Sequence, residues 1–151
     1  MAGVSDLEQP APEHRVPEGV SDATVEAVGK LTEALEWIER ARGHLYDFHQ
    51  MSGRADLTVG EAAEALREAG HEALAERLER ELVGRNVIEG RWTFQVVEEY
   101  DDGYWSVARD LERHVRDELT QGRRHLFEAR MKEDRRTHGD PAHTARPPRE
   151  G

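Results

Sequence analysis

Apolar residues recur along this chain at steps of three and four in three long runs, the spacing that keeps one face of a helix inward. The first run is Val28, Leu31, Leu35, Ile38, Leu45 and Phe48, widened by Ala34 and Ala41. Ser21 or Asp22 can cap its start, Val20 and Val25 are placed to staple it, and Gly53 after Ser52 suits a left-handed stop. The second run, Ala62 to Leu82, opens with Thr58 and Glu61 spaced as a capping box and closes at Gly84. Gly70-His71 offers a break within it, at a cost of about 1 kcal/mol if the helix instead runs through. The third run passes Val97, Tyr100, Tyr104, Val107, Leu111, Val115, Leu119, Gly122 and Leu126 without a change of phase. It predicts one helix from Thr93 to near His138, Trp92 stapling its start, Gly103 a point for a kink, and Gly139 and Pro141 the stop signals.

These runs predict an all-α fold, an elongated antiparallel bundle of three long helices over residues 21–138. Proline- and glycine-bearing segments at 1–20 and 139–151 are expected to be disordered arms. The second helix is shorter than the third, so Val115, Leu119 and Leu126 would lie beyond the reach of any neighbour. An uncovered row of that kind is an aggregation hazard, and it predicts a homodimer through the third helix.

Composition narrows the function without naming it. Hydrophobic content of 36% beside 35% charged residues fits amphipathic helices. The absence of cysteine excludes disulfides, thiolate catalysis and cysteine-ligated zinc. No stretch is apolar for long enough to cross a bilayer, and no basic segment leads into an apolar run at the N-terminus, so the expected location is the cytoplasm. The net charge of −11 lies wholly in residues 1–100, with 21 Asp+Glu against 10 Lys+Arg, while residues 101–151 balance at 11 each. That excess disfavours binding to nucleic-acid phosphates.

"LTVGEAAEAL", from Leu57, resembles the first helix of helix-turn-helix DNA-binding domains. The resemblance implies a basic recognition helix next in the chain. The residues at that place are "HEALAERLEREL", four glutamates against two arginines, which DNA would repel. Glu68 to His71 has the Glu-x-x-His spacing of carboxylate-bridged metal bundles, but the only similar pair, His125 to Glu128, runs in reverse. His44 and His49 stand five apart, off the spacing that sets two ligands on one face. No metal site and no cofactor are predicted. No Gly-rich phosphate loop, nucleophile elbow or Ser-His-Asp order is visible.

The densest chemistry is "RWTFQVVEEYDDGYW", residues 91–105, with five of the nine aromatic side chains. Helical phase turns Tyr100 and Tyr104 inward, level with Trp37, Ala41 and His44 of the first helix. The pocket candidates are therefore Trp37, His44, Glu98, Tyr100 and Tyr104. Two functions are consistent with this pattern. One is a non-enzymatic, self-associating interaction module. The alternative is a bundle that binds a small molecule or metal between its first and third helices, with or without an enzymatic step, drawing also on His71.

Overall fold

The computed structural model describes residues 4–148. The fold is all-α, with five α-helices among the described residues: α1 (Asp22–Glu68), α2 (Glu72–Glu81), α3 (Thr93–Tyr100), α4 (Ser106–Thr120) and α5 (Leu126–Arg135). A π-turn, Asp101–Trp105, joins α3 to α4 without a break. Contacts divide the chain into two compact units, Met1–Glu36 with Ala108–Gly151, and Trp37–Val107.

The three-helix expectation is corrected at two places. The predicted stop at Gly53 and restart at Thr58 do not occur, and α1 runs through both. Thr58 sits inside the helix and returns its hydroxyl to the Arg54 carbonyl at 2.9 Å, as threonines within helices do. The reason lies in the row α1 turns inward over its second half. That row includes Arg42, His49 and Asp56 among its apolar members, and each meets a partner from elsewhere in its unit. The helix stops instead at Gly70, whose φ of +90° is the left-handed conformation glycine adopts without strain.

The second correction concerns the third helix. It ends at Thr120 rather than near His138. Gln121, Gly122 and His125 all take positive φ, and the chain turns back into α5. Gly122 is therefore a turn residue and not a small residue on a helical face. Arg116 secures the turn, donating to the Gly122 carbonyl at 2.7 Å while its own carbonyl accepts the Gly122 N–H at 3.1 Å.

In the unit built from the two ends of the chain, Val25, Val28 and Leu126 form the buried apolar centre. Ser21 caps α1 through the Thr24 N–H at 3.1 Å. α5 lies against the start of α1, where Arg130 pairs with Asp22 at 3.0 Å and Glu26 at 3.3 Å. The described parts of both predicted arms are engaged. Ala145 donates to the Leu7 carbonyl at 2.8 Å, and buried Arg136 binds the Glu8 carboxylate at 3.0 Å and its carbonyl at 2.8 Å. Hydrogen bonds from Arg136 hold the Glu8 and Glu133 carboxyls below the usual carboxylate range. Residues 1–3 and 149–151 of the predicted arms lie outside the described residues.

In the other unit, α3 runs antiparallel to the second half of α1, with Arg42 meeting Asp101 and His49 meeting Thr93. α2 folds back at Gly70, tied by Arg67 to Glu72 at 3.0 Å and Glu79 at 2.8 Å. Ala63 and Ala75 are fully buried. As predicted from sequence, the next helix starts at Trp92-Thr93. The cap differs in detail, because Gln95 accepts the Trp92 N–H at 2.8 Å while the buried Thr93 hydroxyl bonds His49 Nδ1 at 2.6 Å.

Candidate functional site

The site grows from the π-turn. An α-helix closes each turn between residues four apart, whereas here the Ser106 N–H reaches the Asp101 carbonyl, five residues back. The Ser106 hydroxyl donates to that same carbonyl. Both ends of the turn are gripped by α1. Arg42 forks onto the Asp101 carboxylate at 2.7 and 3.1 Å, the planar two-bond match that guanidinium and carboxylate make best. Trp105, at the other end, lies 4.0 Å beneath the Arg42 guanidinium and donates its indole N–H to Glu39 at 2.6 Å. Tyr46 completes the stack, 5.2 Å from Arg42.

These partners hold Arg42 in place. Its hydrogen bonds hold the Asp101 carboxyl below its ordinary range, and Asp101 in turn raises the guanidinium above its own. Burial, then Tyr104 and Glu39 nearby, push the Tyr100 hydroxyl above the usual phenol value. Asp101 is thus held as a carboxylate against Arg42 and Tyr100 as a neutral phenol, and the arrangement acts as a clasp.

The clasp has a pH signature. A carboxyl held low in the folded protein stabilises it fully above its unfolded value, ordinarily 3.8 for this group, and loses that contribution as pH falls through the folded value. Melting temperature is therefore expected to stay level near neutrality and to drop below about pH 4, with Glu8 and Glu133 acting in the same sense. Asp101→Asn should lower the neutral plateau and shrink the acid drop. An acid drop identical to wild type in Asp101→Asn would show that the clasp contributes nothing to it.

The sequence candidates divide. Tyr100 and Tyr104 are together, ring centroids 5.6 Å apart, with Tyr100 half-buried and Tyr104 exposed. Trp37 is exposed under the Arg40 guanidinium at 4.8 Å. His44 is exposed, 3.9 Å from Asp47, and Glu98 is exposed on α3. Among the described residues, no hydrogen bond or ring contact joins Trp37, His44 or Glu98 to the two tyrosines. No group of three or more His, Asp or Glu side chains converges on a metal-sized position, again among the described residues. The predicted list omitted the whole clasp, Asp101 and Trp105 as well as Arg42, Glu39 and Tyr46. The signal of the three α1 residues was weak, because only the pairing with Asp101 and Trp105 sets them apart from other residues of a charged helix.

What the π-turn does to the rest of its helix matters more. It adds a residue to one turn, so the inward row beyond it falls about one residue later than regular α-helical spacing predicts. Tyr104, Val107 and Leu111, expected inward, are 61%, 58% and 56% exposed. Glu112 takes the inward place, 5% exposed, accepting from Thr32 at 3.1 Å and Arg116 at 3.0 Å, and Thr120 is likewise buried.

A separate groove of about 450 Å³ lies between residues 52–59 of α1 and the loop after α2. Leu57, Leu82, Val87 and Trp92 give it apolar walls, and Asp56 and Arg85 stand at its edge. Compared with known proteins, the chain matches no family profile, no curated protein and no solved structure. No helix among the described residues is long and apolar enough to cross a membrane.

Proposed function

We propose that this chain is a non-enzymatic helical module that works by self-association. The observation that carries the reading is the register set by the π-turn. The helix beyond it buries Glu112 and Thr120 within the chain and turns Tyr104, Val107 and Leu111 outward. Apolar faces are left uncovered in α1 as well, at Trp37, Phe48 and Met51. Apolar side chains grouped on a surface mark interaction sites when they form a contiguous patch. A second copy is the partner always present at the same concentration, and closed two-fold pairing is the commonest assembly. The dimer expected from the sequence used an overhanging third helix. Leu126 of that row is buried on its own chain, which shifts the weight of the reading to the outward rows.

Light scattering at micromolar concentration should return the mass of two chains. A single-chain mass across that range would reject the reading.

A second reading has its own observation, the groove at Leu57, Leu82, Val87 and Trp92, whose size and apolar walls suit a small organic ligand. It predicts that native mass spectrometry of protein from its source cells shows a retained small molecule, lost on Trp92→Ala. Protein that carries no adduct at any concentration of extract would count against it.

A further inference from the structure

The outward face of α1 carries a pattern of its own. From Trp37 the chain advances by four and three residues in alternation to Ala65, the repeat of a coiled-coil seam. All nine positions are exposed, and none is Asp, Glu, Lys or Arg, on a helix otherwise dense in Glu, Asp and Arg. Within the unit Trp37–Val107, the neighbouring rows of α1 are the ones that meet α3. This seam is left over.

We infer that the seam pairs with the same seam of a second copy, antiparallel, with the two-fold axis passing between Phe48 and Met51. The inference rests on the self-association reading above and names its surface. In an antiparallel pair a residue reached by a step of four shares a layer with one reached by a step of three. About that axis Trp37 lies beside Ala62, Ala41 beside Thr58, His44 beside Ala55 and Phe48 beside Met51. Trp37 and His44 each meet an alanine, and Phe48 with Met51 fills the centre. A parallel pair would instead set Trp37 on Trp37 and Phe48 on Phe48, with alanine on alanine between them.

Charge gives an independent reading of the same register. The positions flanking the seam on the side away from α3 are Arg40, Asp47, Arg54 and Glu61, all exposed. In an antiparallel pair this flank faces itself. About the same axis, Arg40 meets Glu61 and Asp47 meets Arg54, so every pair joins opposite signs. A shift by one heptad would set Arg54 on Arg54 or Asp47 on Asp47, so charge fixes the register.

The absence of cysteine makes the register directly measurable. Met51→Cys introduces the chain's only thiol beside the axis, and a short bis-maleimide should bridge two chains nearly quantitatively. Ala41→Cys alone should not bridge, whereas an equimolar mixture of Ala41→Cys and Thr58→Cys should. Asp47→Arg and Arg54→Asp should each weaken the dimer by about 10-fold, since symmetry repeats every change twice, and the double variant should return to within about 3-fold of wild type. All five positions are exposed, so each variant should fold, which circular dichroism checks. Efficient bridging by Ala41→Cys alone would show a parallel pair and overturn the inference. A dimer that Leu111→Cys bridges and Met51→Cys does not would place the contact on the other outward row, overturning the seam while leaving self-association intact. A wild-type chain that stays monomeric would defeat both readings together.

Discussion

Replacing Glu112 by alanine should cost about 3 kcal/mol of stability, while replacing its neighbour Leu111 should cost the folded chain less than about 1 kcal/mol. Hydropathy alone orders these two the other way. Glu112 is 5% exposed and accepts hydrogen bonds from Thr32 and from Arg116, whose own side chain is mostly covered. Removing the carboxylate strands a guanidinium away from water, and that penalty exceeds what the pair itself contributes. It also frees the arginine that secures the turn at Gly122. Leu111 is 56% exposed, so its truncation exposes little that was covered. Urea melts, run where the protein is monomeric, decide the matter. A Leu111→Ala loss larger than that of Glu112→Ala would mean that the helix after the π-turn sits one residue earlier.

Gly29→Val should cost about 2–3 kcal/mol, whereas Gly29→Ala should change stability little. A Cβ at Gly29 would lie 3.0 Å from Phe127 Cβ and 3.3 Å from its Cγ. Phe127 Cβ is fixed to the α5 backbone, so a rotamer change, which can move Cγ, cannot clear the nearer contact. Alanine gains about 1 kcal/mol of helix propensity over glycine, which offsets the tight contact. Valine adds two methyl groups in a nearly fixed rotamer and must push α5 away from α1. Leu126 then loses cover and Arg130 loses its grip on Asp22 and Glu26. Thermal melts of the two variants measure this. A Gly29→Val chain as stable as wild type would show that α5 does not dock there.

The all-α class was legible because 3.6-residue periodicity is a local property. The sequence marks Gly70-His71 only as a place where the run could break or pass straight through, and the structure breaks there. The continuation of α1 through Gly53 was not legible, because the residues that hold it there are polar. Arg42, His49 and Asp56 look like solvent-facing residues until Asp101, Thr93 and the Gly84 N–H arrive from up to 59 positions away. The inward side of α4 was hidden for a related reason. Hydropathy ranks Leu111 above Glu112, and only the π-turn upstream reverses their order. Of the candidate site, the sequence marked the aromatic-acidic stretch and Tyr100 with Tyr104, but not the α1 side of the clasp, whose significance is purely one of pairing.

The π-turn gives the helix a residue of slack. Losing one residue anywhere else in Thr93–Thr120 would swing every later side chain by about 100° about the axis. Losing one between Asp101 and Trp105 only converts the wide turn into an ordinary α-turn, and Glu112 keeps its place. The length of this helix can therefore change by one at this point without any downstream contact being renegotiated, a freedom that its flanking turns do not have.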